Sequence, residues 1–188
     1  MRIIAGKFKG LSLNIPKDKV TRPLKDRARE SILNVLTHSN KFFFQFNKAH
    51  ILDLYSGTGS FGLECLSRKA NKIYFVEKNK SIINILKKNI NKLKAKEKVN
   101  IFENDVFQIM KKNIFSIKFD LIFCDPPFKD QNVENLINLI VKGNFLEKDG
   151  IIIFHKNKNS TSKIPEFFKI IDERVYGISK ITFGKILF

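Results

Sequence analysis

The stretch Ile51-Leu52-Asp53-Leu54-Tyr55-Ser56-Gly57-Thr58-Gly59-Ser60-Phe61-Gly62 runs from an apolar segment through a glycine-rich turn into a second apolar segment. Ile51 to Tyr55 reads as a strand and Phe61 to Arg68 as a helix, and the alternation continues downstream. It gives strand Lys72 to Glu77, helix Lys80 to Leu93, strand Val99 to Phe102, helix Val106 to Lys112 and strand Phe119 to Cys124. Helix Val133 to Val141 then leads to strand Ile151 to His155. Such a pattern specifies an α/β, Rossmann-like fold: a mostly parallel sheet with helices on both faces, whose ligands sit at the carboxyl ends of the strands.

The flanks read differently. Phe167 to Val175 and Ile178 to Phe188 are separated only by Tyr176-Gly177, which predicts an antiparallel C-terminal hairpin at one sheet edge. Upstream, Leu24, Ala28, Ile32, Val35 and Leu36 recur at helical spacing, so Leu24 to about Asn40 is an amphipathic helix, followed by a Phe-rich loop from Lys41 to Lys48. Two apolar clusters, Arg2 to Ala5 and Leu11 to Ile15, with Gly6 and Gly10 bracketing a basic turn, predict an N-terminal β-hairpin. Residues 1–20 are thus expected to be a basic appendage and 21–188 the main domain.

Hydrophobic residues make up 43% of the 188, and 35 Lys and Arg against 18 Asp and Glu give a net charge of +17. That balance suits a polyanionic partner, nucleic acid or an anionic membrane surface. The abundance of Lys, Asn, Ile and Phe offers a duller explanation, since an AT-rich genome encodes these residues by default. The first 30 residues, however, hold nine basic side chains against three acidic ones. Arg2, Lys7, Lys9, Arg22, Arg27 and Arg29 fit a grip on RNA phosphates, whereas Lys78 to Lys98 decorate a helix and read as a solvated face. Cys65 and Cys124 lie in apolar stretches without metal-ligand spacing, so they read as buried, reduced thiols with no metal site. No apolar run approaches the ~20 residues of a membrane span, and the start lacks the apolar core of a signal peptide. A soluble, cytoplasmic protein is the expectation.

The turn Gly57-Thr58-Gly59-Ser60-Phe61-Gly62 is a formal G-x-G-x-x-G between strand and helix, a weak signal by itself. An NAD enzyme would hold a pyrophosphate there. Asp53, four residues before the first glycine, argues otherwise, because a carboxylate repels a pyrophosphate but accepts hydrogen bonds from a ligand ammonium. Asp53, Tyr55, Ser56, Gly57, Thr58 and Gly59 are therefore candidates for the methionine end of S-adenosylmethionine, with a plain capping role the alternative for Asp53. Glu77, with Lys78 beside it, ends the second strand where a carboxylate takes ribose hydroxyls; an ordinary exposed Glu is the alternative. Asp105 and Val106 are placed for adenine, although Asp105 is equally a helix N-cap.

Asp125-Pro126-Pro127-Phe128 follows the strand Phe119 to Cys124, at the edge where the cofactor would lie. Two prolines fix the backbone and remove two donors, leaving a rigid turn of acceptors. An exocyclic amino group on a base is a weak nucleophile because its lone pair is delocalised into the ring. Accepting its hydrogens on the Asp125 carboxylate and the Pro126 carbonyl holds the nitrogen out of conjugation and aims its lone pair at an activated methyl. Phe128 offers a face for the base, worth about 1–3 kcal/mol.

These residues, with the opening R-I-I-A-G-K-F-K-G-L, the segment Arg22-Pro23 with Asp26-Arg27-Ala28-Arg29-Glu30, and Tyr176-Gly177, resemble the RsmD-like bacterial methyltransferases over essentially the whole chain. The resemblance implies a class I methyltransferase sheet of seven strands with an N-terminal hairpin. It further implies S-adenosylmethionine as methyl donor and guanine N2 of 16S ribosomal RNA, in an assembled or assembling 30S subunit, as substrate; a monomer is the expectation. Two departures stand out. Leu24-Lys25 stands where small hydroxyl residues are common, and His155 where an acidic residue is; His155 reads as a packing or surface residue. Competing readings are a DNA adenine-N6 or cytosine-N4 methyltransferase, for whose target-recognition domain there is no room, an NAD oxidoreductase, and a non-catalytic RNA-binding assembly factor.

Overall fold

A computed structural model describes residues 1–16, 24–128, 130 and 132–187. Its sheet has seven strands: β1 (His50–Leu54), β2 (Lys72–Glu77), β3 (Val99–Glu103), β4 (Phe119–Cys124), β5 (Leu146–Asn157), β6 (Phe168–Tyr176) and β7 (Ser179–Ile186). Their spatial order is β3-β2-β1-β4-β5-β7-β6. The first five strands run parallel and β7 enters antiparallel between β5 and β6. The strand order reverses between β1 and β4, and Leu54 pairs beside Cys124, so the segments that leave these two strands emerge side by side. Open α/β sheets bind ligands at such a switch point.

Among the described residues, five α-helices cover the sheet: α1 (Asp26–His38), α2 (Ser60–Ser67), α3 (Lys80–Lys92), α4 (Val106–Lys112) and α5 (Val133–Lys142). Strand residues alternate between two cores, as the period of two requires. Ile51, Ile73, Phe75, Leu121, Phe123 and Ile153 pack with α1, α2 and α3, and Leu52, Leu54, Val76, Ile122 and Ile152 with α4 and α5. Helix starts follow local chemistry. The Asn79 side chain caps α3 by accepting from Ser81 N and Ile82 N, and Asp105 Oδ1 caps α4 by accepting from Phe107 N and Gln108 N.

Two regions refine the sequence expectation. β5 begins at Leu146, earlier than Ile151, because Leu146 pairs with Phe119 across an irregularity while the exposed Glu147, Lys148 and Asp149 hide the strand period. The N-terminal hairpin is present but short: one antiparallel bridge, Arg2 opposite Ser12, flanked by Ile3 N donating to Leu11 O at 3.0 Å and Leu13 N to Met1 O at 2.9 Å. It is also docked. Ile3 and Leu13 are buried in the core, Lys7 N donates to Ser67 O at 2.8 Å, and both Glu64 oxygens accept from Ile4 N and Ala5 N at 2.8 and 2.9 Å.

Candidate active site

A cavity of about 550 Å³ opens at the carboxyl end of the sheet over the switch point. Of the candidates for the cofactor, Asp53, Tyr55, Ser56, Gly57, Thr58, Glu77, Lys78, Asp105 and Val106 all line it, together with Asp125, Pro126, Pro127 and Phe128. Gly59 stands behind the wall as the residue before α2, at φ +82°, where a Cβ would lie 2.3 Å from Leu86 Cδ1. Its role is to let the turn pack closely. Tyr55 holds φ 58°, an uncommon value for an aromatic residue that turns the chain off β1 into the glycine loop. Burial and the Asp130 carboxylate both raise its phenol's pKa.

Each carboxylate has a structural partner as well as a cavity face. Asp53, almost fully buried, accepts from Gly62 N at 3.0 Å, so the capping alternative holds alongside its exposure to the cavity. Glu77 Oε2 accepts from Gly57 N and Oε1 from Lys78 N and Asn79 N, each at 2.9 Å. It therefore ties the glycine loop to β2, and Oε2, with a single donor, keeps a lone pair for a further one. Asp105 caps α4 through Oδ1 and meets Lys78 Nζ at 3.3 Å through Oδ2. Asp125 N donates to Leu54 O at 3.4 Å, and its Oδ1 lies 2.8 Å from His155 Nδ1.

The wall that Asp53, Glu77, Asp105 and Asp125 build is acidic in a protein of net charge +17. Burial, reinforced by Asp125 and Glu77 and opposed by the Gly62 N–H, raises the Asp53 pKa well above its ordinary value. Such a wall suits a cationic ligand and disfavours a pyrophosphate. Ser56 Oγ is buried against the cavity with no hydrogen-bond partner among the described residues, a polar group left for a ligand to satisfy. The sulfonium and ammonium of S-adenosylmethionine fit these residues.

The basic candidates divide. Arg2, Lys7, Lys9 and Arg27 are exposed, and Arg27 lies over the Tyr176 ring at 5.6 Å. Arg29 is corrected: its side chain is fully buried, bonded to Asp26 Oδ1 at 3.0 Å and Arg2 O at 2.6 Å, and 3.6 Å from the buried Glu64. Its place is structural, because no phosphate reaches it. Arg22 lies outside the described residues.

His155 is the principal residue the sequence reading misplaced, since it lines the cavity against Asp125. Leu24 and Lys25 line it too. Asn89 of α3 was not foreseen; buried, it donates to Thr58 O at 3.0 Å and exchanges hydrogen bonds with the Asn14 backbone, linking the glycine loop to the N-terminal segment.

A family described as conserved hypothetical protein 95 matches residues 1–185. The ribosomal RNA small subunit methyltransferase D of Haemophilus influenzae is 32% identical over 179 residues, covering 95% of this chain and 90% of that protein. The chain belongs to the RsmD family. The Escherichia coli protein of the same name is 29% identical over 178 residues, 94% of this chain and 85% of its own length. A solved structure of the putative methyltransferase yhhF from Escherichia coli aligns with a TM-score of 0.82 at 26% identity, covering 99% of this chain and 97% of that one. The RsmD family is one of methyltransferases, and the seven-stranded sheet of this member is the methyltransferase sheet. No helix among its described residues is long and apolar enough to cross a membrane.

Proposed function

We propose that this RsmD-family chain uses S-adenosylmethionine to methylate the exocyclic N2 of a guanine in 16S ribosomal RNA, acting as a cytoplasmic monomer on the assembled or assembling 30S subunit. The observation that carries this reading is that one cavity joins an acidic cofactor wall to Asp125-Pro126-Pro127-Phe128. Relatives named ribosomal RNA small subunit methyltransferase D support the choice of polymer.

Asp53 accepts from the cofactor ammonium, Glu77 from ribose hydroxyls, and Asp105 with the Val106 amide addresses the adenine. The bound cofactor supplies a methyl group on a sulfonium, already activated for displacement. The chain's part is orientation and charge. Asp125 and the Pro126 carbonyl accept the two amino hydrogens, so the nitrogen lone pair leaves the ring system and faces the methyl. Phe128 carries the plane of the base. As the methyl carbon–sulfur bond breaks to leave a neutral thioether, the Asp125 carboxylate would receive the proton that the methylated, cationic nitrogen sheds. Arg2, Lys7, Lys9 and Arg27 hold RNA phosphates, with Arg22 assigned the same role.

Incubation with labelled S-adenosylmethionine and either undermodified small subunits or unmethylated DNA tests the reading. Label in the small-subunit RNA is expected. Label only in DNA, or a thermal stabilisation by NAD and none by S-adenosylhomocysteine, would overturn it.

A further inference from the structure

We infer that His155 is the positioning residue of Asp125, an inference that rests on the amino-methyl transfer read above. Cys124 pairs beside Phe154 in the parallel β4 and β5, so the next residues, Asp125 and His155, stand side by side. The His155 side chain is 8% exposed, and its Nδ1 lies 2.8 Å from Asp125 Oδ1. An ionised carboxylate only accepts, so Nδ1 carries the hydrogen and donates it. On the other side of the ring, Nε2 is buried with no hydrogen-bond partner among the described residues. An imidazolium would bury an unsatisfied N–H bearing charge, which costs more than burying a bare lone pair. The ring is therefore neutral with its proton on Nδ1.

Two consequences follow for the site. Oδ1 of Asp125 is held by His155, while Oδ2, which has no protein hydrogen bond among the described residues, faces the incoming amino group. The same ring meets Phe128 edge-on, centroids 5.6 Å apart at 68°, so one side chain braces both the acceptor and the face that carries the base. An ionised aspartate or glutamate at this position would have no hydrogen to donate to Asp125. Here the histidine supplies it.

Nitrogen-15 spectroscopy and steady-state kinetics together test the assignment. His155 is one of three histidines, which keeps the spectrum assignable. It is expected to show a protonated Nδ1 and an unprotonated Nε2, with the Nδ1 signal displaced in Asp125→Ala; a protonated Nε2 overturns the proposal. His155→Leu should lower kcat on undermodified small subunits up to about a hundredfold, the scale of a small misplacement of reacting groups. Binding of S-adenosylhomocysteine should stay at the wild-type level, and His155→Asn, which keeps a donor near the Nδ1 position, should recover most of the rate. Wild-type kcat in His155→Leu, parallel loss of cofactor binding, or no recovery in His155→Asn would each overturn it. Failure of the wild type itself to methylate the subunits would sink the amino-methyl reading instead, and the tautomer would still report whether the hydrogen bond exists.

Discussion

Asp53 carries a conflict that only a ligand resolves. Burial raises its carboxyl well above the ordinary range, the Gly62 N–H pulls it back, and Asp125 and Glu77 push it up again. Between the ordinary carboxylate pKa and the raised folded value, the folded chain holds a proton that the unfolded chain has released, so stability falls as pH rises through that window. Asp53→Asn removes the titration. The ligand-free variant should melt higher than wild type at neutral pH, with a flatter pH dependence, while stabilisation by S-adenosylhomocysteine shrinks; undiminished stabilisation would contradict the ammonium contact. Asp125→Ala should cut methyl transfer by about a hundredfold or more, the scale of losing one transition-state hydrogen-bonding group, and leave cofactor binding intact. Radiolabel transfer and calorimetry separate the two effects. Asp53, Glu77, Asp105 and Asp125 were legible because each closes a strand at the edge where ligands sit. His155 was not, because its partner is 30 residues away in sequence and only the register of two strands joins them.

At the scale of elements, the strands and helices of the parallel sheet were readable from period and cap residues, since each buries its own apolar face. One residue misplaced by the sequence lies on α1. Arg29 shares a helix with the exposed Arg27, and sequence spacing treats the two alike. The fold separates them by two positions of helical rotation: Arg29 turns inward to Glu64, whose oxygens also hold the backbone of Ile4 and Ala5. Both side chains of that ion pair are fully buried. Arg29→Ala should therefore cost about 3 kcal/mol, by leaving the buried Glu64 carboxylate with Arg68, 3.7 Å away, as its remaining counter-charge. Arg27→Ala should stay within about 0.5 kcal/mol and weaken RNA binding instead. Urea unfolding of the two variants decides this, and equal destabilisation would refute the division of roles.

Over the whole molecule the charge is arranged in two signs, a surplus of +17 on a protein whose cavity wall is built with four carboxylates. The surplus was visible in the composition, but its separation from an acidic pocket needed the fold, which gathers Asp53, Glu77, Asp105 and Asp125 from four strand ends. Phosphate contacts by Arg2, Lys7, Lys9 and Arg27 imply salt-dependent RNA affinity. With about four contacts on single-stranded RNA and a slope near 0.7 per contact, raising salt from about 50 to about 200 mM should weaken binding about 50-fold. Filter binding across that range checks it, and a flat response would reduce the surplus charge to genome composition. The most direct test of the central claim is nucleoside mass spectrometry of small-subunit RNA after reaction with this protein and S-adenosylmethionine. A single new N2-methylguanine is predicted, and a methyl group on adenine, on cytosine or on no RNA base would contradict the account.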